Sequence, residues 1–158
     1  MRYAGGKDTS SRPRNAVTAL MPSLHHDIAH LLDTNVLSEL LKPEPDAGVA
    51  AWAVGVLKTG IGVVTVEEVR YGLSWKPNER MAEWFEAFLR RGCVVLPVTE
   101  EIARCAGDLR GSLRRKGRTR SQADMLIAAT ASVHGLTVVS RNASDFEGCG
   151  IAVLNPFA

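Results

Sequence analysis

Five short, almost wholly apolar runs limit what this chain can fold into: residues 28–32, 60–64, 93–98, 136–140 and 151–154. Each has the length of a strand, and the stretches between them carry helical spacing rather than the turn signals of hairpins. Strands of this kind must be covered on both faces, and strands that alternate with helices pair in parallel. The expected fold is therefore α/β, a five-stranded, mainly parallel sheet sandwiched between helices.

The intervening segments read as helices over residues 35–42 and 47–58, split by Pro43-Glu44-Pro45, and as a helix opening at Thr65. Residues 77–91 place Met81, Trp84, Phe85, Phe88 and Leu89 on one face, and residues 99–116 do the same with Ile102, Ala106, Leu109 and Leu113. Residues 121–134 form the next helix, with Gly135 positioned to close it.

Residues 1–27 differ in character. They are polar, bear Gly, Ser and Pro, and lack periodicity, so they read as a disordered leader ahead of a single domain over 28–158. His25, His26 and His30 are grouped with this leader. The net charge of +2 does not by itself announce a nucleic-acid binder. Three scattered cysteines, Cys93, Cys105 and Cys149, have no CxxC spacing, which excludes a Cys-rich zinc site and points to a reducing cytoplasm. No apolar run approaches the length of a membrane span.

Parallel sheets bind ligands beyond the carboxyl ends of their strands, at a switch in strand order. Four acids fall near that rim. Asp33 ends the first run, Glu68 lies in the first turn of the helix after the second, Asp124 opens the 121–134 helix, and Asp145 follows the fourth run. Two of them have a plain alternative, because Thr65-x-x-Glu68 and Ser121-x-x-Asp124 both match a capping box. Asp33 lacks that alternative: it closes an apolar run without an obvious partner. Carboxylates gathered at one rim repel one another unless a cation intervenes, and oxygen-only ligands select a hard ion such as Mg²⁺.

The same residues resemble a known family. Leu31-Leu32-Asp33-Thr34-Asn35-Val36-Leu37-Ser38-Glu39-Leu40 is similar to the opening motif of PIN-domain nucleases. Thr65-Val66-Glu67-Glu68-Val69-Arg70-Tyr71-Gly72 resembles the second motif, an acid followed four residues later by Gly, and that spacing selects Glu68 over Glu67. Ala123-Asp124-Met125-Leu126-Ile127-Ala128-Ala129-Thr130-Ala131 resembles the third, and Ser140-Arg141-Asn142-Ala143-Ser144-Asp145-Phe146 the fourth. The closing Leu154-Asn155-Pro156-Phe157 is similar to the end of the VapC/FitB-like branch, so the likeness spans residues 31–157.

The resemblance implies a PIN fold and the toxin of a type II toxin–antitoxin pair, an endoribonuclease that uses Mg²⁺ or Mn²⁺. It carries metal-binding and catalytic roles onto Asp33, Glu68 and Asp124. Family members differ in whether the fourth acid stands at the position of Asn142 or of Asp145; this chain is of the second kind, which selects Asp145. Thr34, Asn35, Ser140 and Asn142 fall beside the acids as auxiliary polar groups, with Ser140 keeping the hydroxyl of the usual Thr. A homodimer and an inhibiting antitoxin of VapB type are also implied. The antitoxin's tail would lie against residues 35–58, with Trp52 and Val56 as candidate contacts.

Substrate binding needs cations near the acids. Arg110, Arg114, Arg115, Lys116, Arg118 and Arg120 occupy six of the eleven positions from 110 to 120, more than helix capping requires, and are expected to track RNA phosphates. Trp52, Trp75 and Trp84 read as core or interface residues rather than base-stacking platforms. A metal-free route through the RNA 2′-hydroxyl would want a positioned histidine, and outside the leader group only His134 remains. A haloacid-dehalogenase-like phosphatase would need an Asp at position 35, where this chain has Asn35. The remaining alternative is a PIN domain with little turnover that binds RNA or regulates through a partner.

Overall fold

The computed structural model describes residues 27–158. The expectation for the leader therefore lies, except for Asp27, outside the described residues. The elements follow in the order β1 (His30–Leu32), α1 (Thr34–Leu40), α2 (Ala47–Val54), β2 (Thr59–Gly62), α3 (Val63–Trp75) and α4 (Glu79–Arg91). Then come β3 (Cys93–Leu96), α5 (Glu100–Arg115), α6 (Gln122–His134), β4 (Thr137–Val139), a 3₁₀ turn at Ala143–Phe146 and β5 (Val153–Leu154).

All four strand pairings are parallel, and the sheet order is β3-β2-β1-β4-β5. The chain winds one way from β1 to β3 and the other way through β4 to β5, so the order reverses between β1 and β4. At such a switch point the connections leave the sheet in opposite directions and open a crevice above the strand ends.

Alternation along each strand sends neighbours to opposite faces. Leu31 and Val138 face one core with Ile102, Ala106 and Leu113 of α5 and Met125, Ile127 and Ala128 of α6. Leu32 and Val139 face the other, with Val36 and Leu37 of α1, Val49 of α2, Val69 of α3 and Phe85 of α4. The sheet thus separates an α5–α6 layer from an α1–α4 layer.

Most helix ends are set by local chemistry. Asn78, Thr99 and Ser121 cap α4, α5 and α6 by accepting the N–H of Met81, Ile102 and Asp124. Helix α6 ends in a Schellman motif: Gly135 has φ 66°, and the Leu136 N–H reaches back to Ala131 O at 2.9 Å. Helix α5 ends in the same way at Gly117, φ 77°, where the Arg118 N–H bonds Leu113 O at 2.9 Å.

Several boundaries differ from the sequence reading. Strand β2 stops at Gly62, and Val63 and Val64 form the first turn of α3 rather than extending the strand. Glu68 therefore lies in the second turn, and the Thr65–Glu68 capping box does not form. Gly62 is the N-cap, with no side-chain bond, and Thr65 Oγ1 is buried without a partner. Helix α2 ends at Val54, before Gly55, and β3 ends at Leu96, before Pro97, which has no N–H for the ladder. His30 opens β1 and does not belong with the leader; its ring meets Trp52 edge-on at 5.5 Å.

Phe85 is fully buried and Leu57 is 97% exposed. Phe85→Ala is expected to cost about 3–5 kcal/mol in urea unfolding, whereas Leu57→Ala should stay within about 0.5 kcal/mol of the parent.

Candidate active site

β1 ends against the switch point, and its next residue, Asp33, is the N-cap of α1. Its backbone N–H still completes the sheet ladder with Val139 O at 3.0 Å, so the carboxylate is fixed at the sheet's edge with only 8% of the residue exposed. Oδ1 accepts the Thr34 N–H at 2.7 Å. Oδ2 accepts the Ser140 hydroxyl at 2.7 Å and the Asn35 amide at 3.0 Å. Ser140 is fully buried directly after β4 and also accepts the Asn142 N–H. The partner missing from the sequence reading of Asp33 is thus a set of donors, Ser140 being brought from 107 residues away.

Glu68 reaches the same place from α3 and accepts a hydrogen bond from the Thr34 hydroxyl. Asp124 arrives from the other layer, in the first turn of α6, where its backbone N–H is capped by Ser121 at 3.0 Å. Asp124 takes part in the cap, its Oδ2 also accepting the Ser121 hydroxyl at 2.5 Å, and it lines the cleft as well. Asp145, in the 3₁₀ turn after β4, lines it too and lies 4.0 Å from the Arg120 guanidinium.

Asp33, Thr34, Asn35, Glu68, Asp124, Asn142 and Asp145 line one cleft of about 660 Å³. Ser38, Glu67 and Tyr71 share that lining although the sequence reading did not select them. Helical spacing was the available signal: Ser38 is one turn beyond Thr34, and Tyr71 one turn beyond Glu67. Ser140 stands behind Asp33 rather than in the lining. The proposed RNA-contacting residues Arg110, Arg114, Arg115, Lys116 and Arg118 are exposed on and just after the end of α5, outside the lining. Arg120 differs from them: its side chain is 18% exposed and turned toward Asp145.

Two buried acids show how the site is distinguished from the scaffold. Glu39, 5% exposed, accepts from Lys42 Nζ at 2.7 Å and the Asp46 N–H at 2.9 Å, with Arg141 at 3.5 Å. The Lys42 bond and these neighbours hold its carboxyl below the usual range. For Asp33 burial dominates and pushes the carboxyl above its ordinary value; Asp124 adds to the rise, while the bonds from Ser140, Thr34 and Asn35 oppose it. Among the described residues no Lys, Arg or His pairs with Asp33, Glu68 or Asp124.

Residues 30–148 match the PIN domain. The chain belongs to the PIN-domain family. It is 36% identical over 135 residues to a protein of Sinorhizobium fredii called VapC ribonuclease Y4jK, covering 80% of this chain and 96% of that one. It is 33% identical to Toxin FitB of Neisseria gonorrhoeae, covering 80% and 97%. Among solved structures it resembles FitAB bound to the IR36 DNA fragment, with a TM-score of 0.71, 34% identity, and coverage of 82% of this chain and 96% of that one. The wholly parallel five-stranded sheet is accordingly the PIN fold.

The causes of the Asp33 shift predict a carbon-detected NMR titration of the metal-free protein. Asp33 should titrate above its ordinary value, Ser140→Ala should move it higher, and Asp124→Asn should move it down. The native state holds this proton more tightly than the unfolded chain does. The group's contribution to stability is then complete below the ordinary value and is lost as pH rises through the folded one.

Proposed function

We propose that this chain is the toxin of a type II toxin–antitoxin pair, an endoribonuclease dependent on Mg²⁺ or Mn²⁺. The observation that carries the reading is the convergence of Asp33, Glu68 and Asp124, from three elements and both helical layers, on one cleft in which no Lys, Arg or His among the described residues pairs with them. The names of the relatives, ribonuclease and toxin, give the same direction.

The donor set fits a hard divalent ion. It is made of carboxylates, with two amides and hydroxyls beside them and, among the described residues, no thiol or imidazole in the lining. Among the described residues no three His, Cys, Asp or Glu side chains close into a ready-made coordination shell. Mg²⁺ commonly keeps several waters and is held by one or two carboxylates together with substrate phosphate. Asp33 and Asp124 would be the principal ligands, with Glu68 and Asp145 completing the site. When bound, the ion would lower the pKa of the attacking water and stabilise charge on the scissile phosphate.

The chain's own groups do the remaining work. Ser140, Asn35 and the Thr34 N–H orient the Asp33 carboxylate, and Thr34 fixes Glu68. Arg110, Arg114, Arg115, Lys116 and Arg118 would bind phosphates of the strand outside the cleft, supplying affinity without sequence information. Arg120 would act at the rim beside Asp145. Hydrolysis by water leaves a 5′-phosphate and a 3′-hydroxyl. His134, at the end of α6, and His30, against Trp52, both lie outside the cleft lining, so among the described residues no histidine is placed there for the 2′-hydroxyl route.

An antitoxin of VapB type is the proposed partner, alongside a second copy of the chain, in the cytoplasm. An apolar hollow of about 150 Å³, lined by Leu32, Leu40, Trp52, Val56 and Leu57 among others, supports the contact surface assigned to the early helices. Among the described residues no helix is long and apolar enough to cross a membrane.

With purified protein and a mixed RNA substrate, cleavage in Mg²⁺ should yield 5′-phosphorylated products and stop in EDTA. Ser140→Ala, which only orients Asp33, should slow it about 10–100-fold, and Asp33→Asn or Asp124→Asn should slow it further. Full activity of Asp33→Asn would refute the assignment. Neutralising Arg114, Arg115 and Lys116 should reduce the slope of log K against log salt by about 2–3, as fewer counterions are released. An unchanged slope would leave these residues as a solvated helix end.

A further inference from the structure

Arg141 directly follows Ser140, yet its side chain turns away from the cleft. The guanidinium lies 3.9 Å above the centre of the Phe157 ring and 3.5 Å from Glu39 Oε2. Its backbone N–H points the other way and donates to Asn35 Oδ1 at 3.1 Å. That bond decides which end of the Asn35 amide faces the site. With Oδ1 occupied by Arg141, Nδ2 is presented to Asp33 Oδ2 and to Ser140 Oγ. The reverse orientation would set an amide oxygen against the carboxylate and place an NH₂ group against the Arg141 N–H.

The segment bearing Phe157 is itself fastened. Asp46 Oδ1 accepts the Ala158 N–H at 3.1 Å while capping α2 through Gly48 and Val49. The Pro156 carbonyl passes so close to α2 that a Cβ at Gly48 would stand 2.2 Å from its oxygen. Asp46 is tied to Glu39 in turn, because its N–H donates to Glu39 Oε1 at 2.9 Å. Glu39 therefore touches both α2 and the guanidinium that Phe157 covers.

We infer that residues 155–158 form a latch that positions the catalytic carboxylate: Phe157 and Glu39 clamp Arg141, whose backbone N–H sets the Asn35 amide, which in turn aims Asp33. Arg141, Phe157 and Glu39 are positioning residues on this account, since none of them lines the cleft. The inference rests on Asp33 being a metal-binding acid, as proposed above. A planar cation over an aromatic face is attracted by the ring quadrupole, Trp being the best partner, so the clamp has a graded chemistry that substitutions can follow.

The test uses the full chain with two readouts: hydrogen exchange at the Arg141 backbone amide without metal, and the Mn²⁺ dissociation constant by calorimetry. Phe157→Ala should speed Arg141 exchange at least about tenfold and weaken Mn²⁺ binding by about 10–100-fold, the range seen when a ligand's orienting partner is lost. Phe157→Trp should keep both near the parent. Arg141→Lys keeps the charge and loses the planar face, so it should fall between them; it carries the same expectation if Phe157→Ala does not fold. Leu57→Ala serves as the silent control. A lowered melting temperature with parental exchange and parental Mn²⁺ affinity would overturn the latch and leave Phe157 a packing residue. If the parent itself binds no Mn²⁺, the metal-site reading fails separately. Exchange at Arg141 then decides the latch: tenfold faster in Phe157→Ala supports it, unchanged refutes it.

Discussion

A carboxylate held at the edge of a buried parallel sheet is the constraint around which this structure is organised. Asp33 cannot leave, because its own N–H belongs to the ladder with Val139 and its side chain caps α1. Nor can it be fully solvated where it stands. Three donors supply hydrogen bonds without supplying charge, so burial still prevails over them and the carboxyl is pushed up. Glu39 shows the alternative solution on the same helix. It too is little exposed, but the Lys42 bond, with Asp46 and Arg141, outweighs its desolvation and its carboxyl is pushed down. One acid is paired with cations of the chain; the other, among the described residues, has hydrogen-bond donors but no cation.

The topology explains why the other acids gather there. β1 is central, with β2 and β4 as its neighbours, so it ends where connections to opposite layers part. Helix α3 leaves β2 in the α1–α4 layer and brings Glu68; helix α6 begins in the other layer and brings Asp124. The two helices would not meet over a sheet wound in one direction. A cation that engages Asp33 and Asp124 thus bridges two layers through the one strand they share. Its affinity should depend on how firmly each layer is packed.

Most of this could be read in the sequence, for reasons that also explain the failures. The five apolar runs and the α4 and α5 stripes are short-range signals: each run overlaps a strand and each stripe lies on a helix, with the strands shorter than the runs. Ser121 caps α6 as its spacing to Asp124 implies. Val63 and Val64 misled because β-branched residues after an apolar run favour a strand, whereas here Gly62 turns the chain into a helix before them. That shift of two residues moved Glu68 out of the first turn and removed its capping alternative. The relation of Ser140 to Asp33, and of Phe157 to Arg141, left no local trace. Both pairs meet only when β4, β1 and the closing segment are assembled, and no periodicity reports such a contact.

The central claim is that the Asp33–Glu68–Asp124 cleft is completed by a divalent cation. The most direct measurement is the thermal unfolding of the intact chain across a Mn²⁺ series, alongside Asp33→Asn and Asp124→Asn. A ligand that binds only the native state stabilises it by RT ln(1 + [L]/Kd), about 2.7 kcal/mol at a hundredfold excess over Kd. The parent should therefore melt progressively higher with Mn²⁺, and neither variant should respond. Superimposable melting curves for the parent with and without the ion would contradict the account.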